Sequence, residues 1–288
     1  MNSKTILITG TSTGFGRDTA ETLARAGHRV FASMRNVQDK NEEHAAALRK
    51  QGIDVVELDV TKNGSVDRAV RSVLDKAGRM DALINNAGLA AAGVTESFTV
   101  EQAQALFDVN VFGVLRVTRA ALPAMRRQQD GLIINVGSVL GRVTFPFFGI
   151  YGASKFAVEA LTDSMRYELS QLGIEVVLVQ PSAYPTSMYS SAQHPAEAER
   201  AKEYGKVGEI PGAMFQHFMS VFSAPSAPNP HDVAKAIARL IDAPKGRRPA
   251  RTVVGAPFGA DAANEHVAPV QAEVVRSLGL GHLDQPAD

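Results

Sequence analysis

The sequence predicts a single α/β domain, doubly wound around a mostly or wholly parallel sheet of about seven strands with helices on both faces. Seven short apolar runs rich in Val and Ile recur along the 288 residues, and most lack the polar alternation of a half-exposed strand. Segments with helical spacing separate them, as is typical of βαβ units. We see no second core-sized unit, so we expect one domain.

The predicted elements alternate along the chain. The strands are predicted at residues 5–9, 29–34, 54–59, 82–85, 132–136, 175–180 and 251–254. The helices are predicted at residues 17–26, 65–76, 101–127, 154–172 and 232–242. Each crossover is expected to be right-handed because of the strand twist.

Two stretches break this rhythm. Residues 183–230 are about twice as long as an ordinary connection, which is typical of a functional lid. Residues 256–288 follow the last strand, with one helix predicted near 264–277. We therefore expect a main domain of residues 1–255, which contains the lid insertion, and a C-terminal extension.

The composition excludes several classes of protein. Thirty basic residues balance thirty acidic ones, so nothing predicts nucleic acid or an anionic membrane surface as partner. The absence of cysteine excludes disulfides and thiolate catalysis, and seven scattered histidines without ligand spacing predict no metal site. We find no signal peptide and no apolar stretch of about 18 residues, so we expect a cytoplasmic protein without a membrane span.

A glycine-rich turn follows the first strand. Gly10, Gly14 and Gly16 stand in the spacing G-x-x-x-G-x-G, and a helix begins there. Free backbone N–H groups and the positive end of a helix dipole form a pyrophosphate cradle, and glycine permits close approach. The pattern predicts a Rossmann-type dinucleotide site, although a tight turn without a ligand has the same composition.

The end of the second strand indicates which dinucleotide is bound. NAD-specific domains usually carry an acidic residue there, but this chain has Met34 followed by Arg35. A guanidinium can hold a 2′-phosphate through two charge-assisted hydrogen bonds. We therefore expect NADP(H) to be preferred, with NAD(H) as the alternative if Arg35 is only a solvated strand-end residue.

A tyrosine and a lysine are placed for proton transfer. Tyr151 and Lys155 lie one helical turn apart, and an ammonium group favours the phenolate and lowers the pKa of the phenol. Ser138 follows the fifth strand, at the edge where ligands bind in such sheets, and can hold a substrate oxygen. The segment 85–88, Asn-Asn-Ala-Gly, ends the fourth strand at the same edge. Taken singly, these residues also fit a surface helix pair, a cap and a β-turn.

Together these motifs resemble the classical short-chain dehydrogenase/reductase family. The T-G-x-x-x-G-x-G run from Thr9 to Gly16 and the N-N-A-G run from Asn85 to Gly88 match in order and spacing. The family's N-S-Y-K set corresponds to Asn110, Ser138, Tyr151 and Lys155. The resemblance covers about residues 4–186 and then 232–255.

The resemblance implies a role for each matching residue. Tyr151 would be the proton donor or acceptor, Lys155 would lower its pKa and bind the nicotinamide ribose, and Ser138 would fix the carbonyl oxygen. Asn110 would help to hold a relay water. The implied cofactor-binding residues are Gly10, Ser12, Thr13, Gly14, Phe15, Gly16, Arg35, Asp59, Val60, Asn86, Ala87, Gly88, Tyr151, Lys155, Pro181 and Thr186.

One position departs from the family pattern. Ser182 follows Pro181 where the family usually has glycine, which alters the backbone expected beside the nicotinamide. Thr186 still falls where the family binds the carboxamide. We expect local adjustment there and no loss of activity.

Aromatic residues predict an apolar substrate pocket. The residues expected to contact substrate are Ser138, Phe148, Tyr151, Tyr184 and Met188. In the lid, Phe215, Phe218, Met219 and Phe222 share one face of a helix. A hydrophobic carbonyl or alcohol of moderate size would fit such walls, although the same residues could simply pack the lid onto the core.

The sequence therefore predicts an NADP(H)-dependent oxidoreductase that interconverts an alcohol and a ketone or aldehyde. A non-catalytic NADP(H)-binding regulator and a nucleotide-sugar epimerase or dehydratase on the same fold are the alternatives. The resemblance implies a homodimer or homotetramer formed through the helices predicted at 101–127 and 154–172.

Overall fold

The computed structural model describes residues 3–284 and confirms the predicted sheet. Seven parallel strands lie in the order β3-β2-β1-β4-β5-β6-β7. The strands are β1 (Thr5–Thr9), β2 (Arg29–Met34), β3 (Asp54–Glu57), β4 (Ala82–Asn85), β5 (Gly131–Val136), β6 (Ile174–Pro181) and β7 (Arg251–Val254). Each lies within two residues of its predicted bounds because parallel strands covered on both faces are continuous apolar runs.

Helices cover both faces of the sheet. They are α1 (Gly14–Arg25), α2 (Glu42–Lys50), α3 (Asn63–Ala77), α4 (Val100–Phe107), α5 (Gly113–Gln128), α6 (Gly149–Ser170), α7 (Ala198–Glu203), α8 (Lys206–Phe222), α9 (His231–Asp242) and α10 (Ala260–Ser277). Alternate strand residues enter opposite cores: Ile6 and Ile8 pack with α1, α2 and α9, whereas Leu7 packs with α3, α5 and α6. Both cores thus hold the strand ends in place.

The helices differ from the sequence prediction in several places. The predicted helix 101–127 is interrupted by a π-helical turn at Asp108–Phe112, a feature that is frequent at functional sites. Helix α6 begins at Gly149, five residues before the predicted start, so that Tyr151 and Lys155 both lie in its first two turns. Helices α2 and α7 were not predicted, and α1 and α10 begin at Gly14 and Ala260, ahead of their predicted starts at residues 17 and 264.

The carboxyl ends of β1 and β4 meet in the middle of the sheet. These strands are neighbours, although β2 and β3 separate them along the chain, and the direction of winding reverses between them. Such a reversal opens a crevice at the strand ends, where ligands bind in open α/β sheets. The glycine turn and the segment 85–88 both lie at this edge.

The segment predicted to be a lid, residues 183–230, and the described part of the predicted extension, residues 256–284, pack against the sheet and its helices; residues 285–288 of that extension lie outside the described residues. The predicted lid contains α7 and α8, and an isolated parallel bridge joins Gln193 to Ala91 after β4. In the extension, the Asn264 side chain accepts a hydrogen bond from Arg142 and donates one to Gln180. Within residues 3–284, no helix has both the length and the apolar character needed to cross a bilayer.

Candidate active site

The glycine turn after β1 is shaped by residues that tolerate no side chain. Gly10 has φ +71°, and a Cβ there would lie 2.8 Å from the Ala87 Cα atom. A Cβ on Gly16 would collide with the Gly10 carbonyl oxygen, and Gly14 adopts φ +58°. The turn therefore needs glycine for backbone conformation and for close packing.

The N-terminus of α1 faces the resulting cleft, and no acidic side chain in its first turn neutralises the positive partial charge of the helix dipole. The Thr13 hydroxyl at the N-cap accepts a hydrogen bond from Ser187 at 2.9 Å and none from the helix N–H groups. The first backbone N–H groups and the positive end of the helix are thus available to an anion. This cradle fits the pyrophosphate of a dinucleotide.

Asn86 fixes the turn to the neighbouring strand. Its amide nitrogen donates to the carbonyl oxygens of Thr9 (2.9 Å) and Gly10 (3.0 Å). The backbone N–H groups of Asn86 and Ala87 both donate to the Thr9 hydroxyl at 3.0 Å. These bonds hold the two strand ends at the spacing that the cleft requires.

A cationic side chain and an acidic one also line the cleft. Arg35 and Asp59 both line it, and the Arg35 guanidinium has no hydrogen bond or ion pair to any residue in the described range 3–284. Although burial acts to raise the pKa of Asp59, hydrogen bonds from Thr61 at 2.9 and 2.8 Å and the positive charges of Arg35 and Lys62 outweigh it, so the pKa lies below its ordinary value. An unpaired guanidinium beside an ionised carboxylate can bind a phosphate next to a sugar or base.

Most of the predicted cofactor residues line this one cleft. They are Gly10, Ser12, Thr13, Gly14, Phe15, Arg35, Asp59, Val60, Asn86, Ala87, Gly88 and Thr186. Gly16 lies beneath the turn, and Pro181, Tyr151 and Lys155 line the adjoining pocket. The cleft walls also include Met34, Asn41, Leu58, Leu89, Val109, Ser187, Met188 and Ser191. Several of these directly flank recognised motif residues, which is the only sequence signal that could have found them.

Ser138, Tyr151 and Lys155 converge in a second pocket that adjoins the cleft. All three line it, and the two spaces share Phe15, Asn86 and further wall residues. The Lys155 ammonium lies 5.6 Å from the Tyr151 ring centroid and donates to the Val136 carbonyl at 3.0 Å. Ser138 precedes a short 3₁₀ turn and accepts a hydrogen bond from Leu140 N–H at 3.1 Å.

The titration of the pair differs from the sequence-based expectation. Burial raises the pKa of Tyr151 to about 12, although a hydrogen bond with the Ser138 side chain lowers it. Burial lowers the pKa of Lys155 to about 8. Desolvation disfavours both charged forms in this apolar pocket, so the protein alone keeps the phenol protonated.

Asn110 lies beside the pocket and does not line it. Its side chain accepts from Leu89 N–H (2.8 Å) and donates to the Leu89 carbonyl (2.9 Å) and the Ser154 hydroxyl (3.0 Å). Ser154 in turn donates to the Tyr151 carbonyl at 2.7 Å. The π-helical turn thus places an amide that ties the loop after β4 to the helix carrying Tyr151 and Lys155.

The remaining predicted substrate residues, Phe148, Tyr184 and Met188, also line this pocket. Tyr184 is almost fully buried, at 1% exposed, and packs edge-on against Phe15 with ring centroids 5.6 Å apart. Its ring therefore contributes mainly to the core. Phe258 from the C-terminal extension was not predicted, yet it lines the pocket and packs edge-on against Phe145 at 5.2 Å.

The serine at the family's usual glycine position is accommodated locally. Ser182 N–H donates to the Val254 carbonyl at 2.9 Å, which continues the pairing of β6 with β7. Its hydroxyl occupies the space that a side chain on Gly255 would need, and Gly255 has φ +86°. A glycine one strand away thus makes room for the serine.

Known proteins with similar sequences include dehydrogenases and reductases. The family model for short chain dehydrogenase matches residues 4–197. A 3-ketodihydrosphingosine reductase from Bacteroides thetaiotaomicron is 40% identical over 186 residues, which are 65% of this chain and 66% of that protein. Human retinol dehydrogenase 8 is 33% identical over 250 residues, which cover 83% of this chain and 78% of that protein.

Solved structures share the fold over most of the chain. A short-chain dehydrogenase from Streptomyces avermitilis has a TM-score of 0.77 at 29% identity and covers 98% of both chains. An alcohol dehydrogenase from Thermococcus sibiricus, complexed with 5-hydroxy-NADP, has a TM-score of 0.69 at 26% identity over 88% of this chain and 96% of that chain. A short-chain dehydrogenase/reductase from Burkholderia phymatum, in complex with NAD, has a TM-score of 0.75 at 26% identity over 94% and 95%. The protein therefore belongs to the short-chain dehydrogenase/reductase family.

Proposed function

We propose that this protein is an NADP(H)-dependent oxidoreductase that interconverts a hydrophobic alcohol and its ketone or aldehyde. The observation that carries the proposal is the convergence of Ser138, Tyr151 and Lys155 in one buried pocket, directly beside the cleft lined by the glycine turn. A hydroxyl, a phenol and an ammonium group are the groups needed to hold and protonate a carbonyl oxygen.

The residues of the chain divide this chemistry among them. When bound, the nicotinamide supplies or accepts the hydride. Tyr151, whose pKa of about 12 keeps it protonated at neutral pH, donates a proton to the developing alkoxide during reduction. Ser138 orients the carbonyl oxygen by hydrogen bonding, and the positive charge of Lys155 stabilises the phenolate that remains.

The preference for NADP(H) is supported by the end of β2. Met34 is buried and offers no carboxylate to a ribose diol, whereas Arg35 lines the cleft with its guanidinium unpaired within residues 3–284. Structural neighbours carry either 5-hydroxy-NADP or NAD, so the fold accommodates both dinucleotides. The feature that supports a preference for NADP(H) is therefore the charge of Arg35.

The hydrophobic character of the substrate is supported by the pocket walls. Phe145, Phe148, Phe218 and Phe258 line the pocket that holds Tyr151. Two relatives are named for 3-ketodihydrosphingosine and for retinol. A homodimer or homotetramer remains our prediction from the family resemblance, to be measured by light scattering.

A turnover screen tests the proposal directly. Hydrophobic ketones, aldehydes and alcohols are assayed with NADPH and with NADH by absorbance of the reduced nicotinamide. We expect NADPH-dependent reduction of apolar carbonyls, loss of turnover in Tyr151→Phe and nearly unchanged NADPH affinity in that variant. Tight NADPH binding without turnover of any substrate would instead identify a regulator, and an NAD that stays bound through purification would favour an epimerase or dehydratase.

A further inference from the structure

We call the pocket that holds Ser138, Tyr151 and Lys155 the catalytic pocket. A separate cavity, almost wholly apolar, adjoins it beneath the lid, and we call this space the second cavity. Its volume is about 340 Å³, within the range of small-molecule sites. Helix α8, the loop after β4 and the aromatic residues Phe147 and Phe148 form its walls. Of the described residues that line it, only Tyr189 and His194 carry a polar side-chain atom.

This cavity and the catalytic pocket share one wall. Ala90, Phe148, Tyr189 and Phe218 line both spaces. The Phe218 ring lies 6.4 Å from Phe148 and 6.0 Å from Tyr189, centroid to centroid. We call these three rings the aromatic partition; a substrate held at Tyr151 that extends past the partition enters the second cavity.

Two residues in the cavity wall, Phe147 and Gly93, have positive φ angles. Phe147 adopts φ +67°, which is strained for a bulky residue, and its carbonyl accepts a hydrogen bond from Gly93 N–H at 2.8 Å. Gly93 itself has φ +155°, and a Cβ there would lie 2.5 Å from Pro195 of the lid. A strained backbone conformation that is fixed by a hydrogen bond in a cavity wall is typical of a binding site.

We infer that the substrate carries a long unbranched aliphatic chain, and that this chain runs from the reacting carbon past the aromatic partition into the second cavity. The inference rests on the proposed function, since it places the reacting carbon between Ser138 and Tyr151. The cavity matches an aliphatic chain because its walls carry no charged side chain among the described residues other than an ionisable histidine. A polar or branched extension would leave its hydrogen bonds unmade or meet the aromatic rings.

Turnover of a homologous series tests this directly. The probes are methyl ketones from butanone to dodecanone, reduced with NADPH. Each methylene that enters the cavity should raise kcat/KM about fourfold until the cavity is filled, because burying one CH₂ contributes that much binding. A series whose kcat/KM does not rise with length would overturn the inference and leave the oxidoreductase proposal standing.

Gly212→Leu is designed to narrow the cavity from the side of α8. Gly212 lines it on α8 with an ordinary φ, and a Cβ there meets no atom within 4 Å. We expect the ratio of kcat/KM for dodecanone to that for butanone to fall about 10- to 100-fold, as two or three methylenes are displaced. Ala213→Leu, the next residue on the same helix, lines neither space and should leave the ratio unchanged.

Phe218→Ala removes one ring of the partition. The variant should accept methyl ketones with a branch near the carbonyl, which the native enzyme should turn over poorly. Phe222→Ala is the matched control, because Phe222 packs against Tyr189 at 4.9 Å but lines neither space. Equal gains in the two variants would contradict the role of the partition.

A binding measurement separates the inference from the proposed function. A fluorescent polyene fatty alcohol should bind the native protein, be displaced by dodecanol and lose affinity in Gly212→Leu. If no ketone is reduced but this binding pattern holds, the oxidoreductase proposal fails and the aliphatic site stands. If ketones are reduced but the polyene alcohol binds both proteins equally, the aliphatic site is refuted.

Discussion

Burial of the charged Lys155 side chain lowers the free energy of unfolding, and we expect its replacement by an uncharged residue to raise it. The residue is 5% exposed, and burial lowers the pKa of its ammonium from 10.5 to about 8. Its one protein hydrogen bond among those described is to the Val136 carbonyl. A group that is needed for chemistry but destabilises the fold is common at active sites. Lys155→Met keeps the aliphatic stem and removes the charge.

The magnitude follows from the pKa. A fall from 10.5 to about 8 corresponds to about 3 kcal/mol, at roughly 1.4 kcal/mol per pH unit. The lost hydrogen bond offsets about 1 kcal/mol of this. At neutral pH we therefore expect Lys155→Met to raise the free energy of unfolding by about 2 kcal/mol while abolishing turnover.

The sign of the effect depends on pH. Because the folded pKa lies below the unfolded one, the cost is fully present below pH 8 and is relieved as pH rises from 8 to 10.5. The advantage of Lys155→Met should therefore shrink across that window and reverse by about 1 kcal/mol above it, where only the lost hydrogen bond remains. Urea unfolding of both proteins across this pH range measures the difference.

A matched control separates the effect of burying a lysine from the effect of removing a positive charge. Lys202 is 72% exposed, so Lys202→Met should change the free energy of unfolding by less than about 0.5 kcal/mol at every pH. The reasoning is refuted if Lys155→Met is less stable than the native protein at neutral pH. It is also refuted if the stability difference does not change with pH.

Three further substitutions test the cofactor cleft and the buried charges. Arg35→Ala should lower the ratio of kcat/KM for NADPH to that for NADH about tenfold, which is the low end for a charge-assisted hydrogen bond because the site is exposed and screened. The control Arg17→Ala removes a side chain that is paired with Glu21 at 3.0 Å and should leave the ratio unchanged. An unchanged ratio in Arg35→Ala would exclude Arg35 from binding the 2′-phosphate. Gly10→Ala should lower both Tm and NADPH affinity, as measured by calorimetry. The control Gly27→Ala, at a position with φ +88° and open space around it, should lower Tm alone. Equal NADPH affinities in the two variants would argue against the glycine turn as the pyrophosphate cradle. Glu159→Leu leaves the buried Arg251 guanidinium with Asp163 as its one ion-pair partner among residues 3–284 and also removes the ion pair of Glu159 with Arg142. Urea unfolding should show a loss of about 3 kcal/mol in the free energy of unfolding, and a loss below about 1 kcal/mol would mean that water reaches these ion pairs.

The sequence alone determined the sheet and the local motifs. Strands covered on both faces must be apolar throughout, so their positions could be read from composition within two residues of their ends. The glycine turn and the Tyr151–Lys155 spacing are likewise local, because positive φ and the pitch of a helix act over a few residues. Helix ends were less certain: the start of α6 at Gly149 and the π-helical turn carrying Asn110 depend on packing against other elements.

Only the tertiary structure decided how the site is enclosed. Phe258 enters the catalytic pocket from a segment that follows the last strand, more than a hundred residues after Tyr151 in the chain. The direction of the Tyr151 pKa shift reversed the sequence-based expectation, because it depends on burial and not on the spacing of two residues. Spacing along the chain places a functional group on its own element, whereas burial and cavity shape arise where distant elements meet, and no local pattern encodes that meeting.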